Sequence, residues 1–122
     1  MMDRPFIAGI DHGFSLPVSY MRRFNLRTWP QFLNDFCKHW PTDAIDISVD
    51  NVREELKHQR GRVGTPDEYR LTERWTSSAK SVFQFDIQGS VAKSTHAGIP
   101  WIQQLRKTAG DQLHCWPFDG WS

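Results

Sequence analysis

Asp11, Gly13 and Ser15 fall together in IAGIDHGFSLP, residues 7–17, where a short apolar run delivers a carboxylate into a glycine turn. A carboxylate at the end of a strand is held well enough to bind a cation. Gly13 lets a phosphate approach the backbone, and the Ser15 hydroxyl can donate to a phosphate oxygen. Mg²⁺ takes oxygen ligands and keeps several waters, so at least one further carboxylate must come from another element. The same residues also suit a plain hairpin turn, for which Asp and Gly have the right backbone preferences. Both readings stand on these residues alone.

YRLTERW supplies Arg70, Glu73 and Arg74. On a helix these share a face at i, i+3 and i+4, either as a surface ion-pair cluster or as a metal ligand or base flanked by phosphate-binding arginines. DIQGSVAKST sets Lys93 before Ser94 and Thr95, but Ala92 and Ile87 occupy the places where a P-loop requires glycine, so the backbone cannot wrap a nucleotide in that way. The five histidines show no HxH or HxxxH spacing, which gives no support to a structural zinc site. No GxSxG stretch is present. Cys37 and Cys115 lie far apart beside aromatic residues and read as buried, reduced thiols.

The elements that must position these groups alternate in type. PFIAGIDH reads as a strand, and PVSYMRRFNL, with Val18 and Tyr20 on one side, as the second strand of a hairpin. TWPQFLNDFCKHWP is a helix, with Thr28 as its cap, Pro30 in its first turn and Pro41 as its stop. Residues 49–60 form a second, charged helix. Arg53, Lys57, Arg60 and Arg62 face either solvent or phosphate, and GRVGTPDEY is a loop. SVFQFDIQG alternates Phe83, Phe85 and Ile87 with Gln84, Asp86 and Gln88, the pattern of a half-buried strand. Pro100 opens a helix that Gly110 ends, and Leu113–Trp116 is a last short strand. The order predicts an α/β or α+β fold.

A chain of 122 residues fits one domain spanning 1–122, and its net charge of +1 neither demands nor excludes a nucleic-acid surface. Six tryptophans are enough to fill a core and to leave some for an interface. The N-terminal apolar run is too short for a signal or a membrane span, so a soluble cytoplasmic protein without a membrane role is expected.

Three stretches, IAGIDHGFSLP, RLTERWTSSAKSVFQFDIQGSVAKSTHAGIPWIQQLR and HCWPFDGW, resemble the N-terminal part of an uncharacterised bacterial family related to predicted nucleases with a ribonuclease-H-like fold. The resemblance implies a mixed sheet with flanking helices, incomplete at the C-terminus. It implies Mg²⁺ or Mn²⁺ bound by Asp11, Glu73 and Asp86, with Asp11 and Glu73 catalytic, in a two-metal hydrolysis of phosphodiesters. Gly13, Ser15, Arg70, Arg74 and Lys93 would bind phosphate, and nucleic acid would be the partner. Family members continue beyond FDGW into a strand with another acidic residue, which this chain lacks. Its absence would leave an open sheet edge for homo-oligomer formation and would weaken catalysis. The competing expectation is a non-enzymatic protein-binding or assembly module.

Overall fold

The computed structural model describes residues 4–56, 63–75, 79–87 and 90–120. Among the described residues five helices follow one another: α1 (Val18–Arg23), α2 (Trp29–His39), α3 (Val49–Leu56), α4 (Leu71–Trp75) and α5 (Ala92–Ala109), the last continued by a single 3₁₀ turn at Gly110–Gln112. Among the described residues there is no strand, which overturns the expected α/β fold with its ribonuclease-H-like mixed sheet. The open sheet edge expected to drive self-association falls with it. No helix among the described residues is long and apolar enough to cross a membrane.

Helix α2 forms as its sequence dictates. The Thr28 side chain accepts a hydrogen bond from the Gln31 amide at 3.3 Å, proline occupies the first turn, and Phe32, Leu33 and Phe36 fall on one buried face. That face packs chiefly against Ile99 and Ile102 of α5, while Val49 and Val52 of α3 and Tyr20 of α1 complete one core.

The hairpin strand expected at 17–26 is helix α1 instead. Its alternation of Val18 and Tyr20 competes with a four-residue spacing, Leu16, Tyr20 and Phe24, and the longer period wins because it places all three against the core. Val18 is left exposed, and Tyr20 meets Phe24 edge-on at 4.8 Å between ring centroids.

Segment 81–87 is likewise no strand. Its backbone turns, with the Gln84 amide bonded to the Ser81 carbonyl at 3.0 Å, and Val82 and Phe83 are buried with Phe85 packed beside them. The strand reading of PFIAGIDH and of Leu113–Trp116 fails for the same reason. A ladder needs a neighbouring strand, and among the described residues there is none: Val82, Phe83 and Cys115 are drawn into the helical core, while Phe6, Ile7 and Ile10 stay exposed.

Helix α5 begins eight residues before Pro100, at Ala92, so the proline lies inside it. Pro100 has no amide to offer the His96 carbonyl. The Thr42 hydroxyl sits there instead, donating to the Ala97 carbonyl at 2.8 Å and lying 3.4 Å from the His96 carbonyl. Gly110 ends the helix as expected, with φ +55°. Beyond it, the WPFDG turn docks by stacking Phe118 on Trp29 at 4.6 Å and by the Arg106–Asp119 ion pair at 2.7 Å.

Candidate functional site

The short α4 begins with a reciprocal arrangement. The Arg70 amide donates to Glu73 Oε2 at 2.8 Å, the backbone half of a capping box. The Arg70 guanidinium folds back on the same carboxylate, with Nε 2.8 Å and Nη2 2.6 Å from Oε1. Glu73 is buried, so its carboxylate is desolvated but accepts three donors from one residue.

The outer edge of Arg70 reaches the first predicted motif. Its Nη1 lies 3.4 Å from the Ser15 carbonyl and stands where a side chain on Gly13 would have to go, only 2.1 Å from an ideal Cβ. The Gly13 amide donates to Thr95 Oγ1 at 3.0 Å, and His12 packs over Gly98. Four of the predicted residues, Gly13, Ser15, Arg70 and Glu73, therefore do come together, on the first turns of α5. A side chain at 13 or 98 would have to displace the Arg70 guanidinium or the His12 imidazole.

The other predicted residues lie elsewhere. Asp11 and Arg74 are exposed. Asp86 takes a two-pronged pair of hydrogen bonds from Arg53 at 2.9 and 3.0 Å. Lys93 pairs with Asp50 at 3.2 Å, beside a cleft of about 400 Å³ between the start of α3 and α5, walled by Trp101 and Ile47. Among the described residues no three His, Cys, Asp or Glu side chains gather so as to hold a metal ion, so Asp11, Glu73 and Asp86 do not form such a group. Of the basic residues on and after α3, Arg53 is tied to Asp86, and residues 57, 60 and 62 lie outside the described residues.

Neither cysteine is set up as a nucleophile. Burial, aided by the nearby Asp43, pushes the Cys37 thiol up to about 11, and burial also raises Cys115, which stays protonated beside Arg106 and Asp119. Both thiols are free; Cys115 is buried as expected and Cys37 is half-buried.

Three polar residues central to the structure were not singled out by the sequence. Glu68 is buried and accepts from Ser19, from Arg23 Nη2 at 2.7 Å and from the Thr65 amide at 2.8 Å. Thr95 anchors Gly13, and His96 fills the middle of the core. Only Glu68 had a pointer, since Thr65 three residues before it is the pattern of a capped turn.

No family model, no curated protein and no solved structure matches the chain.

Proposed function

We propose that this chain is a non-enzymatic protein-binding module. The observation that carries the reading is the row of apolar side chains left outside a completed core at the N-terminus. Ile7 is 99% exposed, and Phe6 and Ile10 are exposed with it, in a segment that is neither helix nor strand. Trp75, Trp101 and Trp116 are exposed as well. Aromatic and branched side chains that the core does not need are the groups that anchor protein interfaces. The protein would act in the cytoplasm, through contact with another chain.

A second reading, Mg²⁺- or Mn²⁺-dependent cleavage of phosphodiesters in nucleic acid, is favoured by the meeting of Gly13, Ser15, Arg70 and Glu73. Asp11 would be its metal-binding base. Against it stands Glu73, whose two oxygens are already engaged by Arg70.

One set of measurements separates the two. The chain is incubated with Mg²⁺ or Mn²⁺ and single- or double-stranded DNA or RNA, and its association state is followed by sedimentation, alone and as Ile7→Asp. Absence of cleavage together with association that Ile7→Asp abolishes is the expected result. Metal-dependent cleavage lost in Asp11→Asn would replace the module with the nuclease.

A further inference from the structure

His96 lies on α5 with its ring fully buried, and four aromatic rings surround it. Centroid separations are 5.6 Å to Phe36, 4.6 Å to Trp40, 5.7 Å to Phe83 and 4.6 Å to Phe85. Phe36 comes from α2 and Trp40 from the residue that caps it, whereas Phe83 and Phe85 come from the non-helical segment 79–87. Two halves of the box thus belong to different parts of the chain, and the imidazole joins them.

The hydrogen bonding of the ring decides its state. Nδ1 lies 2.8 Å from the Ala92 carbonyl, an acceptor only, so Nδ1 carries the proton. Nε2 is then a bare lone pair, buried without a hydrogen-bond partner. A proton added there would create a cation with no acceptor for its new N–H. Aromatic faces offset part of that cost, but loss of water and the Arg53 cation act against it, and the neutral ring is held down to about 4 from an ordinary value of 6.5, first by burial and then by Arg53.

We propose that His96 is an acid-sensitive latch, whose protonation at Nε2 releases segment 79–87 from α2 and α5 and opens the aromatic core. The segment is the part free to leave because it has no regular hydrogen-bond ladder. Beyond the box it is held by buried Val82, by Phe83 packed on Tyr20 at 5.8 Å and facing Gly64, by Ser81, whose hydroxyl donates to the Glu68 carbonyl, by the Asp86–Arg53 pair and by Arg53 lying over Phe85 at 4.6 Å. The charged group that acts on the ring is Arg53 of α3, itself paired with Asp86 of the segment. Helix α2 and its cap meet the imidazole with rings, Phe36 and Trp40.

The direction with pH follows from the depressed affinity of the closed state for the proton. Above the ordinary histidine value the closed form is fully favoured. As pH falls below about 6.5 the open form, which binds the proton, gains about tenfold in population per pH unit until the closed form also protonates near 4.

The test is amide hydrogen exchange of the whole chain at pH 7, 6 and 5, corrected for the intrinsic pH dependence of exchange, in wild type, His96→Leu, His96→Phe and Asp86→Asn. Exchange in 79–87 should rise about twentyfold relative to α2 between pH 7 and 5 in wild type and in Asp86→Asn, and stay flat in either His96 variant. A rise that persists without His96, or that Asp86→Asn removes, overturns the latch. If neither His96 variant folds, the wild-type imidazole NMR signals decide. The His96 signals should stay those of a neutral ring at pH 5 until 79–87 opens, and a His96 titration near 6.5 with 79–87 still protected overturns it.

Discussion

The Thr42 hydroxyl stands 3.4 Å from the His96 carbonyl, the one Pro100 leaves without an amide, while bonding to the neighbouring Ala97 carbonyl at 2.8 Å, and so covers the break that the proline makes within α5. A loop residue here completes a helix that its own sequence interrupts.

Removing that hydroxyl should matter only while the proline is present. Thr42→Val is expected to cost about 1 kcal/mol, the usual cost of an unmet carbonyl. Pro100→Ala returns an amide to the helix, so Thr42→Val should cost much less on that background. Urea unfolding of the two single variants and the double variant measures the coupling, and additive costs would contradict it.

Gly64 faces the ring of Phe83 so closely that an ideal Cβ would stand 2.1 Å from it, and Phe83 is buried. Gly64→Ala must displace a packed ring and should destabilise by about 1–3 kcal/mol. Gly9 has nothing within 4 Å, so Gly9→Ala should shift stability by less than about 0.5 kcal/mol. Thermal melting of the pair gives the comparison.

Burial pulls the Glu68 carboxyl upward, but the hydrogen bonds from Ser19, Arg23 and the Thr65 amide outweigh it and hold the group below its ordinary value of 4.5. A carboxylate depressed in this way stabilises the fold at pH above its unfolded value and loses that contribution as pH falls below about 4.5. Glu68→Gln should therefore unfold at lower urea than wild type at pH 6, with the gap narrowing as the pH is lowered through that region. That loss begins only below about 4.5, near the end of the His96 window, so the upper part of the His96 effect is separable from it. A gap that is the same at both pH values would contradict the assignment.

Glu73→Ala leaves the Arg70 guanidinium without its carboxylate. A loss of about 2 kcal/mol is expected, between the usual values for exposed and fully buried ion pairs because Arg70 is partly exposed. Since Arg70 also holds Gly13 and the Ser15 carbonyl, amide exchange at 12–15 should rise with it. Loss of stability with 12–15 unchanged would mean that α4 does not brace the N-terminal loop.

Much of the helical part was legible from local pattern. Thr28, Pro30 and the apolar face from Phe32 to Trp40 specify α2 through capping and a period near 3.6. Val49 and Val52 mark α3, and Gly110 ends α5. The proximity of Arg70 to Glu73 was legible too, because i and i+3 meet on any helical turn.

The strands were misread where two periods overlap. Phe83 and Phe85 alternate in sequence, yet alternation says only that both can share a side. It does not supply the second strand that a ladder requires. Near Tyr20 the four-residue spacing was present beside the two-residue one, and only the position of the core chooses between them.

By itself the sequence determined what is local: where α2 starts, which faces of α2 and α3 are apolar, and that Arg70 and Glu73 can pair. These follow from backbone geometry and side-chain spacing over a few residues. The tertiary structure alone decided which distant groups meet. It placed Arg70 against Gly13, Thr42 beside the break at Pro100, and four rings around His96, because long-range packing of a helical core, and no rule of sequence spacing, brings those residues together.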